Sequence, residues 1–179
     1  MINLDRLSVE GLPHFSKAWS QVLADSAIKL LEHSEHQSGV PLLVHMPGDT
    51  NITLPIIWTD TILDSEPLGW ADTQEITEYG ASGIGVLLAL HITGHKTIER
   101  SVKGTGVDYW LGAYDDGSEP PFQRKERLEI SGILKGTASD VRQRTNIKRR
   151  QTQQSQNTGL TAHVVVVEFS QPLAEHSQL

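Results

Sequence analysis

Apolar positions recur at spacings of three and four over residues 9–33, through Phe15, Trp19, Val22, Leu23, Ala27, Leu30 and Leu31. That period predicts a helix with one buried stripe, with Pro13 suited to its start and the turn-forming run 34–39 ending it. Residues 41–46 and 53–58 read as two short strands about the turn Pro47-Gly48-Asp49. A polar stretch, 59–73, leads into the longest apolar element, a helix over 72–93. Glu75 and Glu78 in its first turns suit the helix dipole, and Gly94 suits its end. Gly80, Ala81, Ser82, Gly83 and Gly85 are poor helix formers as a group, so the helix is expected to lie close against another backbone.

The period then changes from 3.6 to 2. Residues 96–103 alternate between polar and apolar, 107–111 are aromatic and β-branched, and 127–134 place Leu128 and Ile130 toward a core. These are three expected strands, separated by the turn 104–106 and the loop 115–121. A helix capped within 136–140 is expected to run to about Gln153, polar and basic almost all round and hence at the surface. Four consecutive valines in 162–169 predict a last strand covered on both faces. The chain after Pro172 is expected to be a loose tail.

Composition narrows the classes. With 179 residues and 37% hydrophobic positions, the chain is expected to be a single domain, 1–179, divided into an N-terminal extension (1–71), a core (72–170) and the tail (171–179). The absence of cysteine excludes a disulfide scaffold, a thiolate zinc site and a cysteine nucleophile. No run of apolar residues approaches the length of a membrane span, and Met1–Arg6 lacks the layout of a signal peptide, so a cytoplasmic address without membrane contact is expected. The net charge of −7 hides a division. Residues 124–150 hold nine basic and three acidic side chains, a net +6, which leaves −13 for the rest. Arg142, Arg144, Lys148, Arg149 and Arg150 are therefore candidates for phosphate contacts; docking on an acidic partner, or on the chain's own acidic part, explains them equally.

The elements from residue 72 onward read helix, strand, strand, strand, helix, strand, and three carboxylates occupy distinctive places in that order. Glu78 lies in the first helix, Asp108 in the second strand and Glu129 in the third, with Ser131 two residues on and on the same face. Carboxylates, where they converge, are hard oxygen ligands suited to Mg²⁺. Glu75 competes with Glu78 for the helical position. Other motif readings are weaker. Gly104-Thr105-Gly106 lacks the context of a phosphate loop, and the eight histidines show no metal-ligand spacing; His163 is expected to pack at the start of the last strand.

This arrangement resembles the restriction-endonuclease-like, or PD-(D/E)XK, nuclease superfamily over 72–170, and the segments 103–112 and 127–132 are also similar to a group of bacterial proteins. The resemblance implies an α/β (α+β) fold with a mixed central sheet flanked by helices, an α-β-β-β-α-β core and an N-terminal helical extension. It implies Asp108 and Glu129 as ligands of Mg²⁺ or Mn²⁺, Glu78 as a third ligand or water-positioning group, and action on nucleic acid, DNA more often than RNA. It also implies defence or repair settings and assembly as a homodimer or within a larger complex. The departure from the pattern is Ser131, which stands where the superfamily has lysine. Ser131 orients water but carries no charge; Lys103, Arg127 and Lys135 are the candidates to supply it. The rival reading is a catalytically silent module that keeps the scaffold and binds protein or nucleic acid.

Overall fold

The computed structural model describes residues 1–59, 72–113 and 122–179, so most of the predicted 59–73 crossing and the 115–121 loop lie outside the described residues. Strand β1 (Ile2–Asn3) is followed by a single π turn, Arg6–Glu10. Helix α1 spans Lys17–His33, and β2 (Val40–Met46) and β3 (Thr50–Ile57) form a hairpin about Pro47-Gly48-Asp49. Helix α2 (Thr73–Thr93) leads to β4 (Thr97–Arg100), β5 (Tyr109–Ala113) and β6 (Gln123–Ile133). Helix α3 (Ala138–Thr152), a 3-10 turn (Gln153–Thr158), β7 (Thr161–Glu168) and β8 (Leu173–Gln178) complete the chain. Among the described residues no helix is long and apolar enough to cross a membrane.

The eight strands among the described residues form one mixed sheet in the order β1-β3-β2-β8-β7-β6-β5-β4. The pairs β1–β3, β2–β8 and β6–β7 are parallel and the rest antiparallel. Alternation along β7 divides the core. Val165 and Val167 join the large cluster beneath α1 and α2, whereas Val164 and Val166 pack with Val141 of α3 and Leu173 of β8. The valine run is thus covered on both faces. The observed architecture is α+β, a single mixed sheet with helices on both sides.

Two expectations are corrected. The first helix begins at Lys17 rather than near residue 9, because Gly11 and His14 adopt positive φ (75° and 58°) and Ser16 caps the helix by accepting from the Trp19 backbone N–H. The expected loose tail is instead β8, which pairs antiparallel with β7 and parallel with β2 and buries Leu173, Ala174 and His176. Its neighbours supply partners for its backbone groups that a free tail would have left to water.

The glycines of α2 serve the close packing predicted for them. A Cβ on Gly83 would stand 2.6 Å from the carbonyl oxygen of Leu23 in α1, and one on Gly85 would stand 2.9 Å from Ile130 Cγ2 in β6. Helix α2 is therefore held against both α1 and β6, which brings Glu78 to the end of β6. Asp72 caps α2 by accepting from Gln74 and Glu75 N–H, and Gly94 closes it in the left-handed conformation.

A candidate active site between the third strand and the last helix

Asp108 lies just before β5 rather than inside it. Its backbone already follows the sheet: its N–H donates to Leu128 O, and its carbonyl accepts from Ser101 N–H. Its side chain turns onto β6, where Oδ2 accepts the Ile130 N–H at 2.8 Å. The residue as a whole is exposed, but its carboxyl is drawn down beside Glu129. Lost hydration raises its pKa, against the opposing pull of the Ile130 N–H and Lys148.

Glu129 faces the α3 side of β6 and is 6% exposed. Burial, and then the neighbouring Asp108 carboxylate, push its pKa up to about 7, while Lys148 opposes the rise. Lys148 Nζ donates to Glu129 Oε1 at 2.7 Å. Burial alone would push the ammonium down, but the carboxylates of Glu129, Asp108 and Glu78 outweigh it and hold Lys148 above its ordinary value. Two carboxyls and one cation therefore share a partly dehydrated corner.

Glu78 reaches the same strand from α2 but is engaged two residues further along. Its Oε2 accepts from Gly132 N–H at 3.1 Å, and its Oε1 accepts from Ser131 Oγ at 3.3 Å. Arg144 Nη1 donates to Ser131 Oγ at 3.2 Å and stands 4.0 Å from Glu78 Oε1. Gly132 permits this approach, since a Cβ there would collide with Thr77 O. Among the described residues no group of three His, Asp or Glu side chains is arranged to hold a metal. The predicted trio thus comes together as a pair, Asp108 with Glu129, plus Glu78 tied to Ser131 and Gly132. Glu75 instead accepts from the Tyr79 hydroxyl and is exposed.

The three residues considered for the missing charge are placed elsewhere. Lys103 is exposed on the turn before β5 and borders the cleft beside Asp108. Lys135 is exposed beyond β6. Arg127 is buried, and its guanidinium donates to Leu160 O, Thr152 O and Ser155 Oγ, clamping the chain that follows α3. The five basic residues expected to meet phosphate divide in the same way: Arg144 and Lys148 turn toward the carboxylates, while Arg142, Arg149 and Arg150 are exposed. Arg142 and Arg149 line a separate cleft of about 670 Å³ with His45, Asn51 and Glu175.

The approach of Lys148 to Glu129 was missed from sequence, although a signal existed. Val141, Thr145 and Thr152 are buried, and with Lys148 they follow the three-and-four spacing of one helical stripe. Comparison with known proteins yields no match to a protein-family model, a curated protein or a solved structure.

Proposed function

We propose that the chain is a metal-dependent nuclease that hydrolyses phosphodiester bonds of nucleic acid, and that Lys148 supplies the positive charge Ser131 lacks. The observation that carries this reading is the meeting of Asp108, Glu129 and Lys148 beside a cleft that Asp108 and Lys148 line. Two adjacent carboxylates suit Mg²⁺, which takes one or two protein carboxylates and keeps several waters. Asp108 and Glu129 would hold the ion; when bound, it supplies Lewis-acid stabilisation and an activated water. The Ile130 N–H fixes the orientation of Asp108. Lys148 offsets negative charge beside Glu129 and presents an ammonium to a phosphate entering the cleft. Ser131 and Gly132 hold Glu78 beside the pair, and Arg144 holds Ser131. Lys148 favours the enzymatic reading over a silent binding module, because the feature that argued for the latter was the absence of a cation.

The test is incubation of the protein with plasmid, single-stranded DNA and RNA, with and without Mg²⁺ or Mn²⁺, beside Asp108→Ala, Glu129→Ala and Lys148→Met. Metal-dependent cleavage lost in all three supports the assignment. Cleavage that survives Asp108→Ala and Glu129→Ala places the chemistry elsewhere, and salt-sensitive binding without cleavage favours the silent module.

A further inference from the structure

We propose that the corner formed by Trp19, Tyr79, Arg100 and Lys103 is a subsite for the base of one unpaired nucleotide, so that the protein prefers single-stranded nucleic acid. The inference rests on the nuclease reading only for the position of the scissile phosphate. The corner belongs to a cleft of about 390 Å³ that also includes Asp108 and Lys148, so a ligand seated in it adjoins the carboxylate pair. That volume lies within the ordinary range of small-ligand pockets.

Trp19 comes from α1, Tyr79 from α2 and Arg100 from the end of β4. The Arg100 guanidinium lies over the Trp19 ring, 4.1 Å from its centroid. Tyr79 meets the same indole edge-on at 5.2 Å and 76°. Arg100 is exposed and forms no ion pair among the described residues. The contrast is with Arg124, which stacks on Trp110 at 4.7 Å but is neutralised by Glu99 at 2.7 Å. Arg100 is thus a flat cation backed by an aromatic ring and, among the described residues, not ion-paired, with Asp108 acting on it only at longer range. Arginine planes and aromatic rings are the surfaces on which unpaired bases stack. Val102, 74% exposed, adds apolar surface beside it, and Lys103 adds a second exposed cation.

Stacking, not charge, distinguishes the base at this corner. The cleft carries Arg100, Lys103 and Lys148 beside Glu78 and Asp108, so the phosphate lies toward Lys148 and the carboxylate pair while the flat Arg100–Trp19 surface takes the base. Lys103 remains available to a phosphate outside. A base in a duplex has both faces covered by its neighbours, so only an unpaired nucleotide offers a face to Arg100. Helix α1 thereby gains a role, since Trp19 supports the platform.

The experiment measures binding without metal, by fluorescence anisotropy in EDTA, of a labelled single strand and of the duplex of the same sequence. Wild type is compared with Arg100→Gln, Trp19→Leu, Trp19→Phe and the control Arg124→Gln. The single strand is expected to bind tighter than the duplex. Arg100→Gln and Trp19→Leu are each expected to weaken single-strand binding about 10-fold, within the range for loss of one stacked base. Duplex binding should change little, Trp19→Phe should retain most affinity, and Arg124→Gln should match wild type. Equal losses on both substrates, no loss with Arg100→Gln, or no binding of single strands by wild type would overturn the proposal. Arg100 is a surface residue, so its variant decides the matter if Trp19→Leu unfolds. Because metal is absent, the subsite can fail while Mg²⁺-dependent cleavage persists, and it can hold while cleavage is never seen.

Discussion

Lys148 Nζ lies 2.7 Å from Glu129 Oε1, so the carboxylate of β6 has its cation on α3 and not two residues along its own strand. Ser131, at that nearer position, carries the hydroxyl that joins Arg144 to Glu78. Lys148→Met should therefore lower cleavage by about 10²-fold or more, the scale of removing one preorganised charge from an active site. Lys148→Arg should retain a measurable part. Single-turnover rates at saturating Mg²⁺ measure this, and unchanged cleavage in Lys148→Met would remove Lys148 from the mechanism.

Much of the scaffold around this pair was legible. Asp72 and Gly94 mark the ends of α2 in sequence as they do in space, and the Pro47-Gly48-Asp49 turn marks the β2–β3 hairpin. Glu78, Asp108 and Glu129 were picked out because their elements occur in a telling order, yet order alone does not say which groups touch. Lys148 reads in sequence as a phosphate contact and not as the partner of Glu129, because the helix's net polarity hides a buried stripe of short side chains, Val141, Thr145 and Thr152. Strand β8 was masked because Pro172 reads as a stop and Ala174, Glu175 and His176 make a weak alternating pattern; long-range pairing with β2 and β7 makes it a strand. The Arg100–Trp19 stack joins residues 81 positions apart and leaves no local trace.

Arg127 is a buried guanidinium whose hydrogen bonds run to carbonyl and hydroxyl oxygens at the end of α3. Burial lowers its pKa, while those acceptors and the negative end of the helix dipole compensate the charge. Arg127→Met would leave Leu160 O and Thr152 O short of donors, at a cost of about 2–4 kcal/mol. It would also loosen the end of α3 nearest Lys148. Urea unfolding should show the destabilisation, and cleavage by the folded fraction should fall. An unfolding midpoint equal to wild type would mean the clamp contributes nothing.

A second buried network makes stability depend on pH. The Glu126 carboxylate is 3.1 Å from His163 Nε2 and 3.3 Å from His95 Nε2, and His163 Nδ1 is 2.9 Å from His176 Nε2. With His163 Nε2–H donating to Glu126, its Nδ1 must accept from His176, which leaves His176 Nδ1 a buried lone pair with no partner. Burial and then the nearby His163 depress the His176 pKa to about 4 from the ordinary 6.5. Below pH 6.5 the unfolded chain takes up a proton that the folded chain refuses. The associated stability is complete above pH 6.5 and is lost as pH falls toward 4, by at most about 3 kcal/mol. His176→Gln keeps a polar group beside His163 without titrating, so its stability should change less over this window. Urea midpoints at several pH values measure the difference, and parallel curves for variant and wild type would exclude His176 as the source.

The two flanks of α3 have different surroundings, and salt dependence of binding would tell their roles apart. Arg144 and Lys148 are committed to Ser131, Glu78 and Glu129, whereas Arg142 and Arg149 are exposed across the helix and form no ion pair among the described residues. If the exposed flank follows the phosphate backbone, each arginine releases about one counterion on binding. Arg142→Ala with Arg149→Ala should then reduce the slope of log affinity against log salt by about 2, to a similar degree on every sequence tested. The rate of cleavage at saturating nucleic acid should stay near that of wild type, because neither residue reaches the carboxylates. A rate lost at saturation with an unchanged salt slope would reverse the assignment and place this flank in the chemistry. An unchanged slope with an unchanged rate would instead leave the flank free of nucleic acid, with Glu175 and Asp49, which border the same cleft, setting its local charge.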